Sequence, residues 1–402
     1  MSVATMRSRS LVLWGMGLFL AMRVVSALIM WRAAGDQAAF PPWTGASPGY
    51  LDLTVLWDGS WYRTIAEQGY PQALPVDAQG VVQQNAWAFY PVFPLVSAAV
   101  MAVTGLSFPV VASSLALAAG VIAGGVIAVL LARVVPARVA LATVLVLAAA
   151  PPSPTFQIAY TESFALLLLA VFLLLVTDGR WLAAGLVALV IGLTRPIAAP
   201  LGVVLVVALL VRWRARRERP VSLHEAVSAL AALVLTAVSV VEWPTIVGLA
   251  TGRADGYTQT MAAWRVGHTI TPLEPWRNIT RWCLEQLGWS PDLAVPILAV
   301  LALLLLAMVL GPWARALGAP LRTWCLAYPA YLVVVLDPFT SLYRYLLLMF
   351  PLGVVFVGGG WSGRVSRWLV PRTLVLVALG IWGQVWWVWN LLLFVPPSDY
   401  PP

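Results

Sequence analysis

Lysine is absent from this sequence, cysteine and histidine occur twice each, and charged residues together make up only 10% of it. Each shortage removes a class of function. Cys283 and Cys325 have no paired spacing and no His/Cys cluster around them, so neither a disulfide framework nor a metal-thiolate site is expected. Too few acids converge to expect a divalent metal, and no cofactor is expected. The basic residues are all arginine and give a net charge of +8, yet they gather in short segments between apolar runs, notably Arg212 to Arg219. That is the pattern of the positive-inside rule, and no nucleic-acid partner is expected. No repeat of fixed period and no inverted pair of halves is present, which weakens a transporter reading.

What the chain has in abundance is apolar sequence: 61% hydrophobic residues, in runs near 20 residues long that recur from end to end. A helix needs roughly 20 such residues to cross a bilayer, so the expectation is an all-α polytopic membrane protein. Arg7 and Arg9 precede a run from Leu11 to Trp31 that is too long for a signal h-region and lacks a small-x-small cleavage site, so it reads as an uncleaved anchor. Arg23 interrupts this run at a cost of about 2.5–3.5 kcal/mol on insertion scales, so it is expected to face protein or an aqueous groove.

Eleven crossings are expected, at 11–31, 108–132, 138–151, 160–177, 181–195, 197–212, 225–249, 293–312, 323–337, 343–358 and 373–395. This places Arg7, Arg9, Arg133, Arg138, Arg180, Arg212 to Arg219, Arg315, Arg322, Arg364, Arg367 and Arg372 on the cytoplasmic side. The arrangement holds only if Phe89 to Thr104, with two early prolines, enters the membrane face without crossing it. One membrane domain over 1–402 results, with extracytoplasmic loops at 33–104 and 250–291.

The polar residues of interest lie in those loops and at the helix ends facing the same side. In Leu56 to Pro71 (LWDGSWYRTIAEQGYP) the spacing of Trp61, Tyr62, Ile65 and Ala66 predicts a helix lying on the membrane surface. Asp58 just before it is either a helix cap or a functional acid. Glu67, four residues after Arg63, reads as half of an ion pair or as a substrate ligand. Glu162 reads as a helix N-terminal acid or a site residue, and Arg195 and Arg344 as snorkelling to headgroups or holding a substrate. Asp337 and His268 share that side, and Asn278-Ile279-Thr280 matches a glycosylation sequon too short to act on.

An acid and two arginines at a membrane face can perform one reaction economically. The carboxylate takes the proton from an incoming hydroxyl, and the arginines neutralise a departing phosphate. A glycosidase needs a second carboxyl group to protonate its leaving group. Phosphate leaves as a stable anion, so one base suffices for glycosyl transfer from a lipid-linked phosphosugar.

Trp57-Asp58, Ile65-Ala66-Glu67-x-Gly69-Tyr70, Phe89-Tyr90-Pro91-x-Phe93-Pro94, Ala159-Tyr160-Thr161-Glu162-Ser163 and Thr194-Arg195-Pro196 together resemble the PIG-V-type mannosyltransferases of the GT-C superfamily. Arg344-Tyr345-Leu346-Leu347 before Phe350-Pro351 looks like that family's C-terminal arginine region. The resemblance implies a GT-C-like fold and a multi-pass enzyme of the cell membrane. It also implies a polyprenyl- or dolichyl-phosphate-linked mannose donor and an extracytoplasmic active site whose base is Asp58. Around Asp58 the candidate substrate-binding residues are Trp57, Tyr62, Glu67, Tyr90, Glu162, Arg195, His268 and Arg344. The lysine-free, Ala/Val/Leu/Arg-rich composition looks like that of a high-GC, actinobacterial-type chain, and so points to a lipid or glycan acceptor of a bacterial envelope, with membrane lipids as the surrounding partner. The alternative function is a carrier or flippase for a lipid-linked saccharide.

Overall fold

The computed structural model describes residues 8–41, 43–265, 269–361, 365–394 and 402. Among them there is no strand, only two isolated bridges, Phe40 to Thr44 and Val76 to Val82. The helices, in chain order, are α1 (Ser8–Ala34), α2 (Asp58–Gln68), α3 (Val92–Thr104), α4 (Phe108–Ala132) and α5 (Ala137–Ala149). Then follow α6 (Glu162–Thr177), α7 (Trp181–Gly192), α8 (Ala198–Arg214), α9 (Leu223–Thr251) and α10 (Gly256–Trp264). The last are α11 (Glu274–Gln286), α12 (Ala294–Leu310), α13 (Gly318–Val335), α14 (Leu342–Tyr345) and α15 (Leu369–Trp387), and two further one-turn helices lie at Tyr50–Leu53 and Gly353–Phe356. Six helices, those beginning at Ser8, Phe108, Ala198, Leu223, Pro291 and Leu369, are long and apolar enough to cross a membrane. The architecture is that of a helical membrane-associated protein.

Local sequence explains where these helices begin and end. Ser222 caps α9 by accepting a hydrogen bond from the Glu225 amide, the S-x-x-E pattern of a capping box, and Arg212 at the end of α8 pairs with Glu225 at 2.6 Å. Helix α3 stops at Gly105, whose φ of +70° suits glycine alone without strain. With 13 residues α3 is about 20 Å long, short of the roughly 30 Å hydrocarbon layer.

With no difference in polarity between helix and lipid, membrane helices associate by close packing of small residues. Helices α1 and α4 do this at Gly15 and Gly124: a Cβ added to Gly15 would meet the Gly124 carbonyl and the Ala128 side chain. Arg23 of α1 turns inward, as expected for a charge in an apolar run. It is buried, donates to the carbonyls of Ala148 and Ser153 and, at 2.9 Å, to the Ser153 hydroxyl, and lies over the Phe19 and Phe156 rings. Neutral carbonyl dipoles and ring faces take the place of water around this guanidinium.

Candidate functional site

Helix α2 starts at Asp58 itself, and Trp57 occupies the capping position without a side-chain cap bond. The Asp58 carboxylate is therefore not turned back on the helix end. It reaches across to α14, where Arg344 Nη2 lies 2.7 Å from its Oδ2.

The backbone just before it is strained. Trp57 has φ +56° and ψ −121°, which side-chain-bearing residues rarely adopt and which cost about 1–3 kcal/mol. What holds it there is the far end of the chain. The Trp57 indole donates to the Leu392 carbonyl at 2.8 Å and stacks on Phe394 at 3.9 Å, and Phe394 stacks in turn on Phe40. Leu392 closes a π-helical turn, Val388–Leu392, a feature frequent at functional sites.

Arg344 is shared. Its second terminal nitrogen, Nη1, lies 2.8 Å from Glu162 Oε1, and the same oxygen receives Arg195 Nη1 at 2.8 Å. The chain is thus Asp58, Arg344, Glu162, Arg195, two acids and two bases of zero net charge. Its members differ in access: the Glu162, Arg344 and Arg195 side chains are 1%, 7% and 8% exposed, whereas Asp58 is 22% exposed. Asp58 is the acid that solvent or substrate can reach. The snorkelling account of Arg195 and Arg344 does not hold, because both guanidiniums point into protein. Glu162 does sit in the first turn of α6, where an acid suits the helix dipole, but its carboxylate also pins both arginines. Its second oxygen, Oε2, and Arg344 Nε are buried without a partner among the described residues.

Aromatic rings close around this chain. Tyr345 lies 4.5 Å from the Arg195 guanidinium and 5.2 Å from that of Arg344, and Tyr160 lies 5.1 Å from Arg344. Tyr62 projects from α2 between Phe89 and Phe93, with its hydroxyl 3.5 Å from Thr161 Oγ1. Burial first, and then the Asp58 charge, pushes the Tyr62 phenol well above its ordinary range, so it is a neutral donor.

The meeting of these residues fixes helix directions. Glu162 opens α6 and Arg195 follows α7, so their contact makes α6 and α7 an up-and-down pair returning to one end of the bundle. Arg133 pairs with Asp178 at 3.2 Å, and Asp178 follows the far end of α6.

Beside Arg195 and Tyr345 opens a cavity of about 490 Å³. Its polar lining comes from Arg195, Arg265 and the tyrosines 257, 328 and 331, and its apolar wall from Leu332, Val335, Leu336 and Ile270. Arg265 stands 4.0 Å from Asp337 and donates to the Val335 carbonyl at 3.1 Å.

Two candidates fall elsewhere. Glu67 lies about two and a half turns along α2 from Asp58, on the wet side, and pairs with Arg63 at 2.9 Å, so the structure does not bring it into the cluster. Tyr90 joins a separate aromatic group, its hydroxyl 2.9 Å from that of Tyr257, and meets the cavity only through that neighbour. His268 lies outside the described residues. Sequence reasoning did not single out Tyr160, Tyr345 or Arg265. The first two flank or precede charged residues already chosen, in Tyr160-Thr161-Glu162 and Arg344-Tyr345. Arg265 carried the signal of a charged side chain in the second long loop. Among the described residues no group of three or more His, Cys, Asp or Glu side chains is placed to hold a metal. No protein-family model matches this chain, and no curated protein matches it.

Proposed function

We propose that this chain is a membrane glycosyltransferase of PIG-V type, moving a sugar, mannose, from a polyprenyl-phosphate carrier to a lipid or glycan acceptor at the extracytoplasmic face. The observation that carries the reading is the chain from Asp58 through Arg344 and Glu162 to Arg195, with a half-open acid at one end and a cavity at the other. The motifs that carry the resemblance contribute Trp57, Asp58, Tyr160, Glu162, Arg195 and Arg344 to this one site.

The chemistry follows from charge. A polyprenyl-phosphate sugar is a diester with one negative charge, and the leaving polyprenyl phosphate gains a second as the glycosidic bond breaks. Arginines lining the carrier's cavity act on the charge that appears in the transition state, where electrostatic stabilisation is most effective. Asp58 takes the acceptor hydroxyl's proton as that oxygen bonds to the anomeric carbon, a contribution of about 10²- to 10⁴-fold. A single displacement by an acceptor on the face opposite the phosphate inverts the anomeric centre. Arg344 touches the base and, through Glu162, is tied to Arg195 on the cavity wall, so it couples the two halves of the reaction.

In this reading the chain crosses eleven times: α1, α4 to α9, α12, α13, the segment 342–356 and α15. Helices α5 and α7, at 13 and 12 residues, cross with the help of flanking irregular backbone buried in the bundle, the condition under which such backbone is tolerated in a membrane. Helix α3 stays at the outer interface with α2, and the arginine-rich turn between α8 and α9 lies in the cytoplasm. The test is to compare lipids and envelope glycans of cells with and without the gene by mass spectrometry. Loss of one defined hexose from one product supports the reading; an unchanged glycan profile together with lost movement of a lipid-linked sugar across the membrane overturns it in favour of a carrier.

A further inference from the structure

On the side of α2 that faces away from the arginines lies a second cavity, of about 450 Å³, walled by the loop before α2 and by α2 itself. Its lining is unlike that of the first cavity. Trp43 stands at the rim, 48% exposed, on a turn closed by the Phe40 to Thr44 bridge. Asp52, an exposed residue, lines the space, and its carboxylate has no hydrogen-bond or ionic partner among the described residues. Ser60 and Arg63 line it from α2. Ser60 donates its proton to the Trp57 carbonyl at 2.7 Å and so keeps oxygen lone pairs for a ligand; Arg63 uses Nε on Glu67 at 2.9 Å and keeps its terminal nitrogens.

We propose that this cleft binds a neutral saccharide and, given the transferase reading on which this further step rests, that it seats the acceptor glycan. The chemistry selects the class. A sugar offers hydroxyl donors to Asp52, hydroxyl acceptors to Arg63, and an apolar ring face to the Trp43 indole. Within the lining Asp52 and Arg63 sum to zero, and Glu67 takes up part of the arginine charge, so the cleft offers a phosphorylated or carboxylated ligand no net attraction. A metal cation is poorly served, because calcium takes six or more oxygens and one free carboxylate is present. The place also fits: Leu56 and Ser60 line the cleft and Asp58 lies midway between them in the chain, its side chain turned to Arg344. Because Asp58 is the first residue of α2, a glycan anchored in this cleft by its inner sugars passes around the start of the helix to bring its terminal hydroxyl to the carboxylate. Substrate and carrier then approach Asp58 from opposite sides of α2.

The test uses the full chain purified in a detergent without a sugar headgroup, titrated with neutral trisaccharides of mannose, glucose and galactose and with a sialylated trisaccharide, read by saturation-transfer NMR. At least one neutral trisaccharide is expected to bind and the sialylated one is not. Asp52→Asn and Trp43→Ala should each weaken binding by about tenfold or more, as loss of a charged hydrogen bond or of a ring face requires. Trp43→Tyr, which keeps a ring, should bind within about threefold of the parent, and the remote Asp255→Asn should match it. Unchanged binding by Asp52→Asn and Trp43→Ala, or failure of every neutral trisaccharide to bind, overturns the proposal. The same preparations assayed for transfer separate the two claims. Saccharide binding without any transfer leaves the cleft standing and removes the transferase; transfer with an unaltered acceptor KM in both variants removes the cleft and leaves the transferase.

Discussion

Glu162→Gln probes the centre of the ionic chain with almost no change of shape. In the native site two guanidiniums and two carboxylates sum to zero, and Glu162 Oε1 accepts from both arginines at 2.8 Å. Replacing the carboxylate by an amide leaves one uncompensated positive charge among side chains exposed by 1–8%, where water screens little. Removing one partner of a buried ion pair costs about 3–5 kcal/mol, and the amide oxygen still accepts a hydrogen bond, which favours the lower end, about 3 kcal/mol. Asp58→Asn is the internal comparison. Asp58→Asn also leaves one positive charge uncompensated, but at the open end of the ionic chain, where the 22%-exposed position 58 admits water and Arg344 keeps Glu162, so its loss costs less, about 1–2 kcal/mol. The assay is thermal unfolding of purified protein in one detergent, followed by tryptophan emission. With about 2 °C per kcal/mol, the low end of the range for 150–250-residue proteins because this chain is longer, Glu162→Gln should melt about 6 °C below the parent and Asp58→Asn about 2–4 °C below it. Adding Arg195→Gln to Glu162→Gln should recover part of the loss, because it removes the stranded charge, a coupling that additive sites do not show. The reasoning is refuted if Glu162→Gln melts with the parent, or if the double variant falls by the sum of the single losses.

Three further outcomes follow from the site. Trp57→Gly should be less destabilised than Trp57→Ala by about 1–3 kcal/mol, since both lose the indole but only glycine relieves a φ of +56°; equal melting temperatures for the two would remove backbone strain from the account. Because burial raises the folded-state pKa of Tyr62, the unfolded phenol ionises first, so stability holds below about pH 10 and falls above it. Tyr62→Phe should soften that alkaline fall without altering it near neutrality, in a pH series of melting curves. Arg344→Ala should reduce donor use more than acceptor use, visible as a larger rise in KM for the polyprenyl-phosphate sugar; an unchanged donor dependence takes Arg344 out of the phosphate site.

What the sequence displays and what it hides divide along sequence separation. The apolar runs, the capping box at Ser222, the short α3 and the Arg63–Glu67 pair are all readable because each depends on residues within a few turns of one another. The same local reading leaves Asp58, Arg195 and Arg344 with two accounts each, a helix cap or a functional acid for the first and headgroup snorkelling or a grip on substrate for the others. No nearby residue decides between the two accounts for any of the three. Their actual partners lie far along the chain: Arg344 and Glu162 are 182 residues apart. Only the return of α6 and α7 to one end, and the arrival of α14 beside α2, bring them together. The strain at Trp57 was hidden for the same reason. A tryptophan at that backbone angle is sustained by Leu392 and Phe394, residues from the other end of the described chain, and no local propensity encodes that clamp.

The central claim rests on Asp58 as the base, and the most direct measurement is sugar transfer by Asp58→Asn. Membranes containing the parent or the variant, matched for folded protein by melting curve, are supplied with labelled polyprenyl-phosphate mannose, and labelled product and released polyprenyl phosphate are counted. Loss of transfer by about 10²-fold or more, with the variant folded and the donor still bound, is expected of a missing general base. Turnover near that of the parent contradicts the account.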